Sequence, residues 1–181
     1  MGNSYISTGL PTEGIMLLHT KRVGLILRLF SPKPELVEQN VRLAMGAVDK
    51  ALALEVGGKK VFSRIDILVS ADDRFGDSDC GLTADALRLA PRKGVFVSEV
   101  RNGDIFCGLL NYGVSHQMRD RIDYSMIMSI GVGEYLVEEN VRPMLDALHS
   151  GARVTGLALS ELAPSILDGR IANTFAIWDT V

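Results

Sequence analysis

Apolar and polar positions along this chain come in alternating blocks. Residues 22–30 (RVGLILRLF) form a nearly unbroken apolar run, as in a strand covered on both faces. Ser31-Pro32-Lys33-Pro34 breaks the run, and Ser31 or Pro34 can open a helix with Glu35 near its positive end. Over 36–54, Val37, Val41, Ala44, Met45, Val48, Ala51 and Leu52 recur at helical spacing, and Gly57-Gly58 ends the segment. A second apolar run at 65–69 predicts a second strand. It stops at an acidic, Gly-containing loop with Asp72, Asp73, Asp77 and Asp79, and a helix is predicted over about 83–90, with Pro91 and Gly94 at its exit.

Residues 95–100 predict a strand, and Asn102-Gly103 has the chemistry of a hairpin turn leading into an extended 105–110. A short helix follows at 111–121, then a buried strand at 124–130 ending in Gly131-Val132-Gly133. A helix is predicted over 134–149, where Pro143 removes one helical hydrogen bond. A strand at 153–160, a loop or short helix at 162–169 and a last strand at 174–178 complete the pattern. Residues 1–21, rich in Gly, Ser and Thr, read as a flexible lead-in with one short strand at 15–18, and 22–181 as a single domain. Strands alternating with helices predict an α/β fold, a three-layer α/β/α sandwich with a mostly parallel central sheet.

Composition narrows the function classes. A length of 181 residues suits one domain with a sizeable core, and 47% hydrophobic with 23% charged residues is ordinary for a globular chain. A net charge of −3 lacks the basic footprint of a nucleic-acid binder. No apolar run approaches the ~18 residues of a membrane-spanning helix. The first residues carry no basic and apolar leader pattern, and Ile6 stands where a myristoylation signal needs Ser or Thr. Cys80 and Cys107 have no metal-ligand spacing, so a reduced, cytoplasmic protein is expected. His19, His116 and His149 are scattered, and neither a phosphate-binding Walker loop nor a nucleophile elbow is present.

The acidic loop is the main candidate for chemistry. Carboxylates at a strand's carboxyl end lie where open α/β sheets bind ligands. Asp72 and Asp73 can accept hydrogen bonds from a nucleobase or ribose, or can simply suit turn geometry. Calcium spacing fails, because Leu82 stands where an EF-hand loop needs Gly and Arg88 where it needs Glu. Thr83 reads instead as a helix cap with acids near the positive helix end. A receiver-type signalling domain would carry the acidic pair after its first strand and an Asp after its third. Here a complete strand–helix unit comes first, and the 124–130 strand runs into Gly131.

Taken in order, these segments resemble GT-A-type glycosyltransferases, especially the family 2 group. Residues 23–30 with Ser31-Pro32 are similar to the opening strand and polar turn, and 65–79 (IDILVSADDRFGDSD) to the second strand and its aspartate-rich loop. Residues 109–129 are similar to the N-x-G-containing helix and the strand after it, and 134–158 to the next helix and its exit. The resemblance spans about 22–178. It implies a nucleotide-diphospho-sugar-binding domain, and an enzyme of this kind would transfer a hexose to a hydroxyl acceptor. It implies that Asp72 or Asp73 contacts the base, that Phe30 and Ser31 line the base pocket, and that Asn111 and Gly113 lie near the nucleotide. A divalent cation such as Mn²⁺ or Mg²⁺ is expected of the family. Its Asp-x-Asp ligands are absent, however, since the place reads Met128-Ser129-Ile130-Gly131-Val132-Gly133, with Glu134 the nearest acid. No metal ligand is therefore assigned, and Arg28, Arg119 and Arg121 are the candidates to meet a diphosphate in its place. The catalytic residues are unassigned. A non-catalytic module that has lost the metal site is the alternative, an unrelated α/β signalling domain the third reading, and a homodimer is compatible with each.

Overall fold

The computed structural model describes residues 13–31, 33–70, 80–100, 107–158 and 171–180. The order of elements is α1 (Glu13–Thr20), β1 (Val23–Phe30), a 3-10 turn (Pro34–Leu36), α2 (Val37–Ala53), β2 (Glu55–Val56), β3 (Lys59–Lys60), β4 (Phe62–Ser70), α3 (Cys80–Arg88), β5 (Val95–Val100), α4 (Cys107–Arg119), β6 (Tyr124–Ser129), a 3-10 segment (Ile130–Tyr135), α5 (Glu138–His149), β7 (Val154–Ala158) and β8 (Ile171–Asp179).

Six strands form one sheet in the order β5-β4-β1-β6-β8-β7. β1 pairs parallel with β4 and with β6, and β4 pairs parallel with β5. β8 runs antiparallel to both β6 and β7. The sheet is therefore mostly parallel, as the pattern of buried strands predicts. β1 lies at its centre, and Val23 to Leu29 are all buried. Alternate residues of β1 go to opposite faces. Leu25, Leu27 and Leu29 join the larger core with Ala44, Val48, Val141 and Leu145 from α2 and α5. Ile26 faces the other way, with Leu68, Ile127 and Val114 of α4. The result is a three-layer α/β/α sandwich. Among the described residues no helix is long and apolar enough to cross a membrane.

Four local expectations are corrected. Residues 15–18 lie in α1, not a strand, and Leu17 is buried in the larger core. A four-residue apolar run has no periodicity that separates strand from helix. Residues 107–110 begin α4, where an extended segment was expected, and the Asn102-Gly103 turn lies outside the described residues. Gly57 and Gly58 do not simply stop α2. They have φ values of 58° and 76° and form the two-residue turn between β2 and β3, the positive-φ pair that glycine tolerates best. The helix expected over 134–149 divides at Leu136 into a 3-10 segment and α5, and Pro143 is accommodated inside α5. Residues 1–12 of the predicted lead-in and the 162–169 segment lie outside the described residues.

Candidate functional site

β1 has β4 on one side and β6 on the other. The crossover through α2 packs on one face of the sheet and α4 packs on the opposite face. The gap between the carboxyl ends of β1 and β6 is thus the topological switch point, where sheets of this kind bind ligands. Phe30 and Ser129 end the two strands there, followed by Ser31 and Ile130. Phe30 is 41% exposed at this rim.

Ser31 is fully buried, and both its hydroxyl and its N–H have partners. Its hydroxyl shares a 2.7 Å hydrogen bond with that of Thr83 on α3, and accepts one of 3.2 Å from Asn40 Nδ2 on α2. Its N–H donates to the Ser70 carbonyl at 2.9 Å. Residues 71–79, which carry Asp72 and Asp73, lie outside the described residues, but the elements that flank them do not. Ser70 ends β4 and Thr83 sits in the first turn of α3. Ser31 binds both, so one residue ties the carboxyl end of β4 and the first turn of α3 to the end of β1. Thr83 is accordingly an internal tie of α3, which starts at Cys80, where the sequence suggested a cap. Ser31→Ala should strand the buried Thr83 hydroxyl, leave Asn40 Nδ2 only its bond to the Phe30 carbonyl, and lower unfolding stability by about 1–3 kcal/mol. Urea denaturation checks this, and Thr83→Val should give a loss of similar size.

Beyond Ile26 on the α4 side of β1 comes Arg28, only 8% exposed. Its register neighbour on β6 is Ser129, and Arg28 Nη2 donates to Ser129 Oγ at 3.2 Å. Burial pushes the Arg28 guanidinium below its usual pKa. The other two arginines proposed for this end are elsewhere. Arg119 closes α4, and Arg121 follows in the turn where Asp123 N–H bonds to Arg22 O, at the amino-terminal edge of the sheet. Arg28 alone of the three stands at the carboxyl end. The metal expected of the resembling family finds no fit among the described residues. Ser129 and the 3-10 segment after it supply no carboxylate toward the switch point, Glu134 is exposed, and a guanidinium stands where a divalent cation would be repelled.

Asn111 and Gly113 lie on α4. Asn111 is exposed, whereas Gly113 is buried against the sheet. A β-carbon there would sit 2.8 Å from Leu68 Cδ1 and 3.0 Å from Ile26 Cδ1, so glycine sets how closely α4 approaches. One turn on, Gln117 reaches into a buried polar network that the apolar reading of 65–69 overlooked. Arg64 grips Asp66 through Nε and Nη2 at 2.8 and 2.7 Å, stacks over the Phe96 ring at 4.1 Å and pairs with Asp120. Gln117 Nε2 donates to Asp66 Oδ2 at 2.8 Å and to the Leu25 carbonyl at 3.1 Å, and Ser125 Oγ donates to Gln117 Oε1 at 2.7 Å. Asp66 within an apolar strand was the available signal, because a carboxylate on a covered sheet needs built partners.

No protein-family model and no curated protein matches the chain. Solved structures resemble it at low identity. A mycobacterial protein is 15% identical with a TM-score of 0.53, over 98% of this chain and 59% of that one. Rv0371c of Mycobacterium tuberculosis H37Rv is 12% identical with a TM-score of 0.44, over 74% and 63%. A 4-diphosphocytidyl-2C-methyl-D-erythritol synthase from Anaerococcus prevotii DSM 20548 is 10% identical with a TM-score of 0.46, over 91% and 73%. The first of these shows a shared fold. The alignments span 59% and 63% of the two mycobacterial chains, less than two thirds of either.

Proposed function

We propose that this domain binds a nucleotide-diphospho-sugar across the carboxyl ends of β1, β4 and β6, and that it transfers the hexose to a hydroxyl acceptor. The observation that carries the reading is the Ser31 clamp, which ties the flanks of the acidic segment to the switch point through Ser70 and Thr83. The GT-A-like order of strands, acidic segment and helices supports it independently. In this reading Asp72 or Asp73 accepts hydrogen bonds from the base, Phe30 packs on it, and Asn111 meets the nucleotide from α4. Gly113 acts through the seating of α4. A purely binding module is the second reading. It is favoured by one feature, the lack of carboxylates where the family's metal would be held.

Thermal shift with UDP-, GDP- and CDP-sugars, with and without Mn²⁺, tests the proposal. Stabilisation by one nucleotide-sugar is expected, about 2.7 kcal/mol at a hundredfold excess over Kd. Asp72→Ala and Asp73→Ala should each be tried, and at least one should reduce the shift. No shift with any nucleotide would refute the reading, and unchanged shifts in both variants would refute the base contact. Hydrolysis or transfer of the bound sugar separates enzyme from module. A cytoplasmic location and a homodimer belong to the same proposal, checked by fractionation and light scattering.

A further inference from the structure

Gly46 stands inside α2 for a reason that packing does not supply. Glycine in a helix interior is less stable than alanine. Its φ is not positive, and a β-carbon there would meet nothing within 4 Å. Gly113, by contrast, is required by the sheet beneath it. The open space at Gly46 belongs to a cleft between α2 and the 3-10 segment after β6. The cleft holds about 270 Å³, close to the lower end of the roughly 300–1,000 Å³ of small-molecule sites.

Arg42 and Lys50 lie four residues to either side of Gly46, and both line the cleft. That spacing puts them on one flank of the helix. Both are exposed, and neither side chain has a hydrogen bond or ion pair among the described residues. Lys60, Arg88, Arg92 and Arg142, by comparison, all pair with carboxylates. Glu134 on the facing segment is the cleft's one acid among the described residues, so cations outnumber anions there. Leu43 and Ala47 on α2 and Ile130 opposite supply apolar surface.

We propose that this cleft binds a small phosphate monoester, with the phosphate between Arg42 and Lys50 and an apolar body over Gly46, against Leu43, Ala47 and Ile130. Two cations that share one group favour a dianion, which a phosphate monoester approaches near pH 7 and a carboxylate does not. Several phosphate oxygens let both side chains donate at once, the arginine through its planar fork. The missing β-carbon lets the ligand body lie on helix backbone. The cleft adjoins the switch point through Ile130, but its ligand is argued without reference to a nucleotide.

The test is an NMR titration of the full chain at constant ionic strength with phenyl phosphate, inorganic phosphate and benzoate. Phenyl phosphate should move the Gly46 amide signal with a Kd on the order of 1 mM, and the other two probes should bind several-fold more weakly. Arg42→Gln and Lys50→Gln should each weaken phenyl phosphate about two- to fivefold, and the double variant about tenfold or more. Glu134→Gln should tighten it by about two- to fivefold. Lys59→Gln, on β3 and outside the cleft, should change nothing. Gly46→Ala should raise the melting temperature by about 2–4 °C and still weaken phenyl phosphate, a pairing that a merely structural glycine would not give.

Unchanged affinity in the Arg42→Gln/Lys50→Gln variant would overturn the site, as would the absence of saturable phenyl phosphate binding to wild type. Equal binding of inorganic phosphate would remove the apolar contact, and equal binding of benzoate the preference for a dianion, and either refutes the proposed ligand. If Arg42→Gln and Lys50→Gln abolish the thermal shift with nucleotide-sugars, the two cations serve the nucleotide, which overturns the separate site and upholds the nucleotide reading. Cation-dependent phenyl phosphate binding with no nucleotide-sugar shift upholds the site and overturns the nucleotide reading.

Discussion

Asp66→Ala should cost this fold about 3–5 kcal/mol, the usual penalty for removing one partner of a buried ion pair. For a domain whose total stability is about 5–15 kcal/mol, such a loss approaches unfolding. Asp66 is 2% exposed and Arg64 8% exposed, so neither group can turn to water without moving the sheet. Removing the carboxylate strips Arg64 of two hydrogen bonds and Gln117 of one, leaving Arg64 only its contacts with Asp120 and the Phe96 ring. At about 2–4 °C per kcal/mol for a chain of this size, the melting temperature should fall by roughly 10 °C. A paired change, Arg64→Met with Asp66→Leu, should recover much of the loss, because an apolar pair of similar volume needs no partners. Thermal and urea denaturation measure both variants. A melting temperature within 2 °C of wild type for Asp66→Ala would show that the network is structurally idle.

That network also marks the limit of what the chain's pattern reveals. The strands and helices that form the core were legible because their apolar positions repeat locally. The 36–54 periodicity becomes α2, and the 22–30 run becomes β1. The pattern at 15–18 was too short to tell helix from strand. β2 and β3, two residues each, are shorter than any period. Near the site, the runs at 22–30 and 124–130 predict β1 and β6, and Phe30 is the last residue of β1. What Ser31 does there could not be read, because its partner Thr83 is 52 positions away. Asp66 and Gln117 are 51 positions apart, and Arg28 and Ser129 are 101 apart. Nothing in local spacing brings such pairs together. Arg28, Arg119 and Arg121 were equivalent candidates until topology put β1's arginine at one end of the sheet and the other two at the opposite end. Asp72 and Asp73 lie outside the described residues.

Gly113→Val should be the second most damaging change, for reasons of space. Glycine inside a helix is worse than alanine by about 0.5–1 kcal/mol, so alanine here begins with a gain. Its β-carbon would meet Leu68 Cδ1 at 2.8 Å and Ile26 Cδ1 at 3.0 Å, the ends of side chains that can give a little. Overpacking of that kind costs about 1–3 kcal/mol, so Gly113→Ala should come out slightly destabilising. Valine adds two methyl groups and loses helix propensity, which puts the net loss near 3 kcal/mol. What those side chains cannot absorb is relieved by lifting α4 off the sheet. Gln117 lies one turn along the helix, and its 2.8 Å bond to Asp66 and 3.1 Å bond to Leu25 would stretch with the lift. If the domain binds a nucleotide through Asn111 as proposed, affinity should fall together with stability, because Asn111 rides on the same helix. Leu68→Ala makes room under the helix, and the double variant Leu68→Ala/Gly113→Val should therefore be more stable than the sum of the single losses predicts. Denaturation of the four proteins in this cycle decides the matter. Strict additivity would mean that Gly113 and Leu68 do not share the space between α4 and the sheet, and that the glycine serves some purpose other than close approach.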